Sequence, residues 1–135
     1  MPISPTYSRS LIIPESAIDE NGHVNNVAYV QWMQDIAVEH YSSIGGIIAQ
    51  GPDATWVVRE HKIEYFLPAF LGEEIEIKTW VENIRRVRSL RKYEFIRKAD
   101  GKVLVKGETD WVFVDAKTGS PRAIPVEVSN VFKLD

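Results

Sequence analysis

Apolar residues recur along this chain with two different periods. From about Asn25 to Ile44 they return at three- and four-residue steps, as Val27, Val30, Met33, Ala37 and Tyr41, while Gln31, Gln34, Asp35 and Glu39 fall largely elsewhere. That spacing predicts one long amphipathic helix. Gly45 and Gly46 should end it, because glycine readily takes the left-handed conformation past a last turn. Before the helix, Tyr7–Ile13 is short and β-prone, and Pro14 stops it. After Ala54 the sequence reads as nearly all strand. The stretch GEEIEIKTWVENI alternates, with Ile75, Ile77, Thr79 and Val81 on one face and Glu74, Glu76, Lys78 and Trp80 on the other. Asp100-Gly101 marks a hairpin turn, DAKTGSP a second turn, and AIPVEVSNVF closes the chain. The predicted architecture is α+β: one strand, one long helix, then an antiparallel meander, with the apolar stripe of the helix on one sheet face. The other face and the edges often need a second protomer, and Trp56, Trp80 and Trp111 suit such contacts.

Bulk properties narrow the classes. The 135 residues fit a single domain, and no repeat or low-complexity segment divides residues 1–135. With no cysteine, disulfides and thiolate metal sites are excluded, which suits a reducing cytoplasm. The start MPISPTYSRS lacks the pattern of a signal peptide, and no apolar run is long enough to span a bilayer. The net charge of −3 argues against a general nucleic-acid binder. His23, His40 and His61 share no metal-ligand spacing, so no metal is expected.

The chemistry concentrates in AIDENGHVNNVAYVQWMQD, residues 17–35. Singly, each polar residue has a structural reading. Asp19 or Asn21 could cap, Gly22 could permit a turn, Asn25 or Asn26 could cap the first helical turn, and His23 could be a satisfied structural histidine. Their combination reads differently. A helix start offers unpaired amides and partial positive charge, which suit the oxyanion formed from an ester or thioester carbonyl. Gly22 lets a substrate approach the backbone. Asp19, just upstream, could activate water or attack the carbonyl, and His23 could orient the water or the carboxylate.

The run DENGHVNNVAYVQWM closely resembles the helix start of hotdog-fold acyl thioesterases of the 4-hydroxybenzoyl-CoA thioesterase superfamily. Asp19, Gly22, His23, Val24, Asn25, Asn26 and Tyr29 match the motif. The likeness extends through VVREHKIEYFLPAFLGEEIEI and ETDWVFVDAKTGSPRAIP, and so over most of the chain. It implies a hotdog fold, a long central helix packed on a curved antiparallel sheet, and hydrolysis of acyl-CoA or acyl-carrier-protein thioesters. It implies Asp19 as nucleophile or general base, the Asn26 amide as oxyanion donor, and assistance from Asn21 and His23. It also implies a homodimer or homotetramer with sites at the subunit interface, and no cofactor beyond the coenzyme A of the substrate. Plant acyl-carrier-protein thioesterases are similar at Asp19, Asn21 and His23, but their further acid would fall near Phe70, where none stands. A hotdog hydratase and a non-catalytic acyl-CoA-binding protein are the competing readings.

Three further features bear on function. Tyr29, Trp32 and Met33 read as core, with some able to line an acyl tunnel. NIRRVRSLRK gathers Arg85, Arg86, Arg88, Arg91 and Lys92 in an acidic chain. Either this is a solvated strand edge, or Arg85, Arg86 and Arg88 clamp the phosphates of coenzyme A. SLRK and KTG mimic a penicillin-recognising set, but they sit in a strand and a turn, and no Ser-Asp-Asn accompanies them.

Overall fold

The computed structural model describes residues 4–132. The strands are β1 (Tyr7–Ile12), β2 (Ala54–Tyr65), β3 (Glu74–Arg85), β4 (Arg88–Arg97) and β5 (Val103–Asp115). The helices are α1 (Asn26–Ser43), α2 (Gly46–Gln50) and α3 (Val126–Val131), with a 3-10 turn at Glu15–Ala17. The strands form one sheet in the order β1-β3-β4-β5-β2, and every neighbouring pair is antiparallel. This is the helix-on-sheet layout that the resemblance implies.

The two periods become two packed faces. On β3 the alternation puts Ile75, Ile77, Thr79 and Val81 inside, beneath the helix. Tyr29, Met33, Ile36 and Ala37 of α1 meet Ile75, Ile77, Tyr93, Phe95 and Leu104 in the larger core. Tyr41 carries the stripe into a second cluster with Val81, Phe113, Val128 and Phe132, at the other end of the sheet. Gly107 lets helix and sheet approach closely, since a Cβ there would lie 2.9 Å from the Met33 sulfur. Gly45, at φ +85°, ends α1 as the sequence predicts.

The outer sheet face is polar. Register aligns Lys78, Glu94, Lys106 and Glu64 in one cross-strand row. Trp80, Lys92, Glu108 and Lys62 form the next row. Alternating charges stabilise such rows and leave no apolar seam to cover. The unpaired edge of β2 is different, because Val57, Val58 and Tyr65 are exposed there.

Two expectations are corrected. The valine-rich tail after Pro125 is not strand: Pro125 starts the short helix α3, and Val128 turns into the second cluster. Trp56 and Trp111 are not outward contacts. They lie on the helix side of the sheet, while Trp80 faces outward and donates to Glu82 at 2.8 Å.

Candidate active site

The Asp19 loop is a small closed structure. Ile18 and Val24 form an isolated antiparallel bridge. Inside it the Asp19 amide donates to the His23 carbonyl at 3.1 Å, and the Gly22 amide donates to the Asp19 carbonyl at 3.0 Å. Asp at the first position and glycine at the fourth suit this turn. Gly22 has φ +81° and open space where a Cβ would stand, so glycine is required here for its backbone conformation rather than for room. The loop is tied to the body by Val24 donating to Ala69 and Asn25 donating to Ala17, both at 2.9 Å.

Asp19 is half-buried. Its Oδ1 accepts from the Asn21 amide at 2.9 Å, a local turn that ties the carboxylate to its own loop. Its Oδ2 has no protein partner among the described residues. Asn25, not Asp19 or Asn21, caps α1, and its side chain accepts from the Ala28 amide at 2.8 Å. The amides of Asn26 and Val27, at the exposed helix start, find no acceptor inside the helix. His23 is half-buried, with Nδ1 3.3 Å from the Val24 carbonyl, and makes no side-chain bond to Asp19.

The structure moves several predicted residues out of direct reach. Val24 and Tyr29 are core residues, and their side chains do not face an open substrate surface. Tyr29 packs edge-to-face on Trp32, Tyr65 and Phe95, and burial pushes its hydroxyl pKa to about 12. Arg85 and Arg86 are exposed at the β3–β4 hairpin, without ion pairs among the described residues. Arg88 is not free for a phosphate, because it forms an ion pair with Asp110, which Arg59 also contacts at 3.0 Å. Partial burial works to raise the Asp110 pKa, but the two guanidinium groups outweigh it and hold the carboxyl below its usual value.

Position matters as much as contact. Ile13 donates to Glu73, so the loop carrying Asp19 lies at the Glu74 end of β3. The arginine hairpin lies at the opposite end, about 35 Å away along the strand. Within one chain, Arg85 and Arg86 therefore do not share a site with Asp19.

That far end also holds a cavity of about 160 Å³ between α1, α2 and the sheet. Tyr41, Trp56, Trp111 and Phe132 supply much of its wall, and Arg91 reaches it from β4. Arg91 is not part of the solvated patch. Its side chain turns inward and is 4% exposed. The period-two pattern carried this signal, since Arg91 shares a face with Ser89, Tyr93 and Phe95. Nη1 of Arg91 donates to His40 Nδ1 at 2.8 Å and to Thr79 Oγ1 at 3.1 Å. His40 lies seven residues beyond Met33 on the buried stripe, a placement the helical period also allows. Asp19 lines neither this cavity nor the shallow pocket over the outer charge rows.

Residues 14–132 match the family model described as the thioesterase-like superfamily. The chain is 30% identical over 119 residues to the acyl-CoA thioester hydrolase YbgC of Escherichia coli O6:H1, covering 85% of this chain and 87% of that protein. Its fold superposes on the 1,4-dihydroxy-2-naphthoyl-CoA thioesterase Slr0204 of Synechocystis with a TM-score of 0.83, at 17% identity, covering 95% and 96% of the two chains. It also superposes on Staphylococcus aureus SAV2348, solved in complex with CoA, with a TM-score of 0.82, at 17% identity, covering 96% and 82%. The chain belongs to the thioesterase-like superfamily, as a hotdog-fold enzyme of the thioester-hydrolase class.

Proposed function

We propose that this chain hydrolyses acyl-CoA thioesters to a free acid and coenzyme A, in sites that two copies complete together. The reading is carried by a loop-tied Asp19 carboxylate, one oxygen unbonded, in the loop that leads directly into the open amides of Asn26 and Val27. The similarity to YbgC supports acyl-CoA as the substrate class.

In this reading a water oxygen attacks the thioester carbon while Asp19 takes its proton. The carbonyl oxygen gains the electron pair and is held by the helix amides, where the helix dipole favours negative charge. Collapse then breaks the carbon–sulfur bond, and the departing thiolate takes the proton back from Asp19. Direct attack by Asp19 would use the same groups in two steps. Asn21 and His23 orient water and substrate from the loop.

The partner enters because one protomer separates the needed parts. The unpaired β2 edge, twelve residues long with exposed apolar side chains, suits pairing with a second β2. A two-fold axis through that edge would lay the two α1 helices antiparallel. Each helix start would then approach the cavity and the arginine hairpin of the other copy, where Arg85 and Arg86 can meet phosphates.

Asp19→Asn tests the assignment. The variant should fold and assemble normally yet lose about a hundredfold or more of its acyl-CoA hydrolysis, assayed as released thiol. Full turnover in that variant overturns the catalytic role.

A further inference from the structure

Arg91 presents an unusual electrostatic situation. Its guanidinium is buried, yet among the described residues no carboxylate lies within ion-pair distance. Its hydrogen bonds run from Nη1 to His40 and Thr79, both uncharged acceptors, and among the described residues Nε and Nη2 have no further protein partner. Burial lowers its pKa only to about 10, so the group remains a cation at neutral pH. Burial and then the Arg91 charge lower the His40 pKa to about 4, so its ring is neutral and accepts from Arg91. A buried charge without a counter-ion is costly, and proteins usually pair it. Here the other polar side chains lining the adjoining cavity, Gln50, Thr55 and Ser89 with the Tyr41 hydroxyl and the Trp56 and Trp111 indole N–H groups, carry no charge.

We propose that this cavity binds an organic carboxylate, with the anion on Arg91 and the apolar body against Tyr41, Trp56 and Trp111. The cavity supplies what such a ligand needs: a desolvated cation at one wall and aromatic surface on the others. A wholly apolar acyl group would leave the Arg91 charge unmatched. A fully hydrated inorganic anion would gain nothing from the aromatic walls. Two sources share the required chemistry. One is a carboxylate at the far end of the acyl chain, and the other is a free organic acid. Only the first rests on the thioester-hydrolysis reading, because it makes Arg91 a specificity residue for that reaction.

Binding is tested first without turnover. Phenylacetate and its neutral isostere phenylacetamide are titrated into the protein, with tryptophan fluorescence and thermal shift as readouts. Phenylacetate should bind roughly tenfold or more tightly than the amide. In Arg91→Met the preference should vanish, while the unliganded melting temperature holds or rises, because an unpaired buried charge has been removed. The carboxylate–amide comparison in the native protein needs no variant, so it stands even if Arg91→Met fails to fold. Equal binding of acid and amide, or no binding of either, overturns the proposal. Kinetics then separates the sources. A graded series of ω-carboxyacyl-CoAs is compared with the corresponding methyl esters by kcat/KM. Preference for the free carboxylates, lost in Arg91→Met, assigns the pocket to the acyl tail. Binding of phenylacetate without that preference assigns it to a free acid. Should Asp19→Asn prove fully active, the titration still decides the carboxylate site.

Discussion

His40 shows what one buried side chain contributes, and it can be read in the pH dependence of stability. Burial, then the neighbouring Arg91 charge, depress its pKa from 6.5 to about 4. The folded pKa lies below the unfolded one, so between those values the unfolded chain binds the extra proton. The stability gained from a neutral His40 is present above about pH 6.5 and is lost as pH falls through about 4. His40→Gln keeps a polar group beside Arg91 but removes the titration. Over this window the native melting temperature should fall more steeply than that of the variant; parallel curves would mean that His40 is not held neutral. Much of the Asp19 loop was legible at this scale. The Asp-x-x-Gly spacing gave both the turn and the candidate carboxylate. The sequence did not reveal which oxygen the turn would occupy, since that depends on local torsions. Nor did it separate Arg91 from its neighbours, because a run of basic residues hides the strand alternation that turns one of them inward.

Elements followed their periods closely. The helix expected from about Asn25 to Ile44 spans Asn26–Ser43, and the β3 alternation matches its buried face. The tail departs from the nearly all-strand pattern after Ala54: Pro125 and packing on Tyr41 and Phe132 produce helix. Sequence alone offers Asp19, Asn21, Asn25 and Asn26 as caps, and in the structure Asn25 caps α1. Asn25→Ala should therefore cost about 1 kcal/mol of stability. Asn26→Ala, at an exposed position whose side chain holds no amide, should change stability little. Chemical denaturation of both variants checks this, and the reverse ranking would reassign the cap. Because Asn25 also fixes the direction of the free amides, Asn25→Ala should lower kcat more than it raises KM.

At the scale of the whole molecule, the chain places the Asp19 carboxylate and the cavity toward opposite ends of one helix. From Asn26 to Tyr41 the axis runs about 22 Å. Periodicity alone does not reveal that separation, because it reports which face of an element is buried and not which groups share a site. The polar rows on the outer sheet face and the apolar edge of β2 make the edge the favourable side for association. Complementation between two defective chains tests this division of labour most directly. Asp19→Asn removes the carboxylate. Val38→Trp fills the cavity from an exposed position of α1 without disturbing the core. Each homodimer should be nearly inactive. Co-expressed with different tags and purified as mixed dimers, the two should regain thioester hydrolysis, because one site in each mixed dimer combines an intact Asp19 with the open cavity of its mate. Mixed dimers no more active than either parent would contradict a site shared between copies.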